Sequence, residues 1–119
     1  WRGLVGYSLA GLFAIYSIYQ TEAFSRVASI SGSLWFPGFK EYVVSNKIIG
    51  KLDALYFSLG DKECRTKNVY LKKVQENTEN IAEFFQKKEI NTVFEKNLGG
   101  HNKEVVERIV VGIRWLLGR

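Results

Sequence analysis

The stretch Gly6-Tyr7-Ser8-Leu9-Ala10-Gly11 decides how the 119-residue chain is read. Ahead of it, Trp1 to Val5 is short and largely apolar, as at the end of a buried parallel strand. Behind it, Leu9 to Gln20 carries Leu12, Ile15, Tyr16 and Tyr19 at helical spacing. The stretch is therefore a strand turning sharply into a helix, with a serine at the corner. Gly6 lets the backbone pass close to Ser8, and Ala10 with Gly11 lets the helix start pack against the strand. A hydroxyl at such a corner has two ordinary uses. It caps the helix start, or it projects from the turn toward a base that takes its proton, without which serine is a weak nucleophile.

The rest of the chain repeats the alternation. Phe24 to Ile30 reads as a second strand, ending in the small polar run Ser31-Gly32-Ser33 before Leu34-Trp35-Phe36-Pro37. The aromatic residues of that loop either line a pocket, with Trp35 foremost, or cover the core. Gly38 to Asn46 forms a short helix, and Ala54 to Leu59 is a nearly continuous apolar run, hence a strand buried on both faces. Thr66 to Lys88 has Leu71, Val74, Thr78, Ile81 and Phe85 along one helical face. Thr92 to Glu95 is a less apolar strand suited to a sheet edge. After Gly99-Gly100-His101 a last helix places Val106, Ile109, Ile113 and Leu116 inward. Four strands alternating with helices predict an α/β fold: a three-layer parallel sheet of about four strands with flanking helices, one domain over residues 1–119.

Composition narrows the function classes. Hydrophobic residues make up 46% and charged residues 24%, ordinary globular usage that leaves no case for disorder. No apolar run is long enough to span a bilayer, so no membrane partner is expected. The net charge of +5 is spread among acids, with Lys72 and Lys73, Lys87 and Lys88, and Arg114 and Arg119 on solvated helix faces. Nucleic-acid binding needs basic residues gathered on one surface with a recognisable motif, and neither is present, so no nucleic acid is expected. The one cysteine, Cys64, has no partner for a disulfide, and no Cys/His spacing suits a metal. No metal or cofactor is expected, and the free thiol fits a reducing, cytoplasmic compartment. The lack of methionine, and a first residue already inside a strand, point to a piece of a longer chain.

In open parallel sheets functional groups gather beyond the C-terminal ends of the strands. Ser8 follows the first strand, Asp61 and Glu63 the third, and His101, the single histidine, the fourth. One edge of the sheet thus carries a serine, an acid and a histidine in that chain order. Taken alone, His101 reads equally as a surface residue, and the two acids as favourable charges at a helix start.

Taken together, these residues resemble the α/β-hydrolases, and within them the C-terminal half of the esterase family of siderophore trilactone esterases and esterase D-like enzymes. The resemblance rests on Gly6 to Gly11, on Tyr56-Phe57-Ser58-Leu59-Gly60-Asp61-Lys62-Glu63, on Asn77-Thr78 and on Gly99-Gly100-His101. Ala10 stands where the elbow motif has glycine. The resemblance implies a partial α/β-hydrolase domain in which Ser8 attacks a carbonyl, His101 moves the proton, and Glu63 orients the imidazole, with Asp61 as the alternative acid. It implies the Leu9 backbone N–H as one oxyanion-hole donor, the second coming from a loop outside this sequence. The expected substrate is a small-molecule carboxylic ester, including esters of the siderophore type. An acyltransferase with the same triad, or a binding module that kept the fold without the chemistry, is the alternative. The first strand would leave an exposed edge through which the chain self-associates.

Overall fold

The computed structural model describes residues 1–60, 73–97 and 104–118. The elements among them are β1 (Gly3–Tyr7), α1 (Leu9–Ser17), β2 (Arg26–Ile30), α2 (Phe39–Ser45), β3 (Ala54–Gly60), α3 (Val74–Lys87), β4 (Asn91–Asn97) and α4 (Val105–Leu116). The four strands form one sheet in the order β1-β2-β3-β4, every neighbouring pair parallel. Parallel neighbours cannot be joined by a tight turn, so each connection must leave the sheet and return, and helices lie along these crossovers.

All seven residues of β3 are buried, as its unbroken apolar run demands. Its side chains alternate between two cores. Leu55 and Phe57 join Ala14 and Ile15 of α1, Ile18 just beyond it, Phe39 and Val43 of α2, and Ile81, Ala82 and Phe85 of α3. Ala54 and Tyr56 point the other way, with Ala28, Ile30 and Leu116 of α4. Helices thus cover both faces, and the three layers expected from the alternation are present. On α3 the expected face holds, since Val74, Thr78, Ile81 and Phe85 are all buried. Leu71 lies outside the described residues.

The last helix meets expectation at Leu116, which is buried, and at Ile109, which packs beside it, and departs from it elsewhere. Its buried residues are Arg108, Gly112 and Leu116, whereas Val106 is 71% exposed and Ile113 40%. Because α4 is apolar on most sides, spacing alone does not select its inward face. Glycine does: a Cβ on Gly112 would stand 2.9 Å from Ile30 Cδ1 and 3.3 Å from Tyr56. The backbone approaches the sheet at the one residue that has no side chain to obstruct it, and Arg108 and Leu116 follow one turn to either side.

Strand register puts Tyr7, Ile30, Ser58 and Glu95 in one row across the sheet. Ser8 and Ser31 emerge one residue beyond that row, at the C-terminal ends of β1 and β2.

Candidate functional site

Ser8 occupies the corner between β1 and α1 with φ 61° and ψ −120°. An N-cap serine takes extended backbone and lends its hydroxyl to the first turn. Ser8 does neither, since its side chain makes no capping hydrogen bond. A non-glycine residue at this φ carries about 1–3 kcal/mol of strain, which persists only where the surroundings over-determine it. They do so here. Ser8 N–H donates to the Ile30 carbonyl at 2.9 Å, and the Ser8 carbonyl accepts from Gly11 at 2.9 Å, Leu12 at 3.2 Å and Ser33 at 3.0 Å.

The small residues around the corner are required sterically. A Cβ on Gly6 would lie 2.0 Å from the Ala10 carbonyl oxygen. One on Gly11 would lie 2.7 Å from Gly32 Cα and 2.8 Å from the Ser29 hydroxyl, which donates to the Gly11 carbonyl at 3.0 Å. The corner is therefore a sharp strand-to-helix turn whose conformation is enforced by close backbone contacts on both sides. Leu9 opens α1, where the first N–H groups have no carbonyl one turn earlier in the helix and the helix dipole is positive.

Leu9 also starts an apolar groove of about 440 Å³ along α1, walled by Leu12, Phe13, Tyr16, Phe36 and Tyr42. The loop after β2 divides its residues. Leu34 is fully buried in the core. Phe36 turns into the groove beside Leu9, whereas Trp35 lines a second, more polar cleft of about 310 Å³ with Lys40, Lys73, Glu76 and Asn77. Of this loop it is Leu34, and neither aromatic residue, that joins the core.

Asp61, Glu63, Cys64 and His101 lie outside the described residues. Of the expected site, the described residues hold Ser8, Leu9 and Trp35, with the first two together at the corner. They also hold a polar group that the sequence did not bring forward. Arg108, 4% exposed, donates from Nη2 to the Ser31 hydroxyl beneath the strand ends. Beside it the Tyr56 hydroxyl donates to the Glu95 carboxylate at 3.2 Å. Burial first, and then Glu95, push the Tyr56 hydroxyl well above its ordinary value of 10.0, so it stays protonated. The available signal for Arg108 was its spacing of four and eight residues from Gly112 and Leu116.

No group of three or more His, Cys, Asp or Glu residues suited to a metal ion occurs among the described residues, and none of their helices is long and apolar enough to cross a membrane.

In class, the chain has a three-layer α/β fold with a parallel four-stranded sheet, and it shares that fold with solved esterase structures. Its structural likeness is to siderophore hydrolase EstA of Aspergillus nidulans, with a TM-score of 0.71 at 17% identity, over 98% of this chain and 47% of EstA. Esterase PE8 superposes with a TM-score of 0.56 at 16% identity, over 96% of this chain and 49% of PE8. In sequence, the chain is 24% identical over 124 residues to the uncharacterized protein YbbA of Bacillus subtilis (strain 168), over 99% of this chain and 50% of YbbA. The chain thus spans about half the length of the proteins it matches. No protein-family model matches it.

Proposed function

We propose that this chain carries the nucleophile of a serine hydrolase acting on small-molecule carboxylic esters. The observation that carries the reading is the strained backbone of Ser8, φ 61°, in a serine that does not cap its helix. Ser8 Oγ attacks the ester carbonyl while His101 takes its proton. The tetrahedral oxyanion is met by the Leu9 N–H at the start of α1, with a second donor supplied from elsewhere in the protein. His101 then protonates the leaving alcohol, and a water activated by the same imidazole releases the acid and frees Ser8. Glu63, or Asp61 in its place, holds the imidazole in the required tautomer. The name of the Aspergillus nidulans neighbour EstA, a siderophore hydrolase, favours esters of the siderophore type within this class.

The test is labelling of the full-length protein by a fluorophosphonate, which reacts with activated serines, beside its Ser8→Ala variant. Labelling that disappears in the variant supports the reading. A folded protein that takes no label overturns it and leaves a binding module on the same fold. Where label is taken, product analysis with an added alcohol separates water from alcohol as the acyl acceptor, and so a hydrolase from an acyltransferase. The same reading has the isolated 119-residue chain self-associating through β1 and the apolar surface beside it.

A further inference from the structure

Arg108 presents a problem that the proposed chemistry does not address. Burying a guanidinium is costly unless it is hydrogen-bonded. Its neighbours on the inward face of α4 are Gly112 and Leu116, and an apolar residue would pack there without that cost. What the charge holds is specific. Arg108 Nη2 donates to the hydroxyl of Ser31, a buried residue at φ 46° directly after β2. The Ser31 N–H donates to the Ser58 carbonyl of β3 at 2.8 Å. One residue on, Gly32 abuts Gly11 so closely that a Cβ on Gly11 would meet its Cα at 2.7 Å. One further, the Ser33 N–H donates to the Ser8 carbonyl at 3.0 Å. Residues 31–33 are therefore held between Arg108 on one side and the Ser8 corner on the other. The helix that bears Arg108 starts at Val105, four residues after His101 in the sequence.

We infer that Arg108 is a positioning residue for the proposed ester hydrolysis: it locks α4 to the loop at residues 31–33 that braces Ser8. In doing so it sets the register between the serine corner and the helix that follows His101. The inference rests on the hydrolase reading, and it assigns Arg108 no contact with the substrate.

The experiment uses the full-length protein with p-nitrophenyl acetate, rates being counted per serine titrated by a fluorophosphonate so that unfolded molecules do not contribute. Arg108→Met is expected to lower kcat about tenfold to a hundredfold, the range that misplacing a reacting group by an ångström produces, with KM changed little. Ser31→Ala removes the other end of the contact with a smaller change in volume, and tests the same link should Arg108→Met fail to fold. It is expected to lower kcat in the same direction. The double variant is expected to be no worse than the poorer single one, because both remove one interaction. Variants that lose thermal stability while keeping kcat per titrated serine within twofold would reduce Arg108 to a packing role and overturn the inference. Losses that multiply in the double variant overturn it as well. Wild-type protein that takes no label and turns over no ester removes the hydrolase reading itself, and this role falls with it.

Discussion

At Ser8, backbone and side chain make opposing demands. The corner geometry favours glycine, yet the chain keeps a hydroxyl at φ 61°. Ser8→Gly should therefore be more stable than Ser8→Ala by about 1 kcal/mol, the relief of φ strain exceeding the extra chain entropy that glycine loses on folding. Urea unfolding of the two variants measures the difference, and equal midpoints would mean that the corner is not strained. Tyr56 gives a second prediction at this scale. Its hydroxyl is held protonated in the folded chain, by burial and then by Glu95, whereas in the unfolded chain it ionises near 10.0. A raised folded-state value means stability that is complete below pH 10.0 and is lost as pH rises above it. Stability followed by denaturant titration should fall above that pH, and Tyr56→Phe should make the fall shallower. Tyr19, also raised by burial and by neighbouring Tyr42, leaves a remaining slope in the variant. An unchanged slope in Tyr56→Phe would remove Tyr56 from the account.

At the scale of elements, the corner depends on backbone approaching backbone. Gly6→Ala would force a methyl group into the Ala10 carbonyl, at 2.0 Å, and neither partner is a flexible side chain that can move aside. The expected loss is about 3 kcal/mol or more. Gly38→Ala is the control. Gly38 sits at φ 83° with nothing within 4 Å of an added Cβ, so only the local backbone penalty of about 1–2 kcal/mol applies. Similar losses in the two variants would mean that the corner tolerates a side chain. These contacts also mark what could be read in advance. The Ser8 corner was legible because its requirements are local: small residues within three positions on either side and an apolar strand before an amphipathic helix. β3 was legible because a strand buried on both faces has no polar side to disguise it. The inward face of α4 was legible only in part, at Ile109 and Leu116, because apolar residues surround that helix and the choice fell to Gly112 meeting Ile30 and Tyr56 from distant parts of the chain. The Arg108–Ser31 contact was illegible for the same reason, since its partners are 77 positions apart and neither carries a local signature.

Across the whole molecule, the two edges of the sheet are treated differently. Among the described residues β4 pairs only with β3, and it carries Asn91, Glu95, Lys96 and Asn97, the polar and charged residues that keep an open edge from pairing with another chain. Among the described residues β1 pairs only with β2, and its sequence, Gly3-Leu4-Val5-Gly6-Tyr7, has no charge at all. Beside it stand Trp1, 63% exposed, and, on α1, Leu9 at 66% and Phe13 at 62%. An uncharged edge next to exposed apolar side chains is a surface that water does not favour. The proteins this chain resembles are about twice its length, so a further half is available in them to cover the corresponding side. Alone in solution, the 119 residues have only another copy of themselves to offer. Sedimentation of the isolated chain is accordingly expected to show concentration-dependent association. Phe13→Lys should weaken it while leaving unfolding stability within about 0.5 kcal/mol, since the ring is mostly in solvent already. A chain that stays monomeric at every accessible concentration would mean that β1 needs no cover, and association that survives Phe13→Lys unchanged would move the contact away from α1.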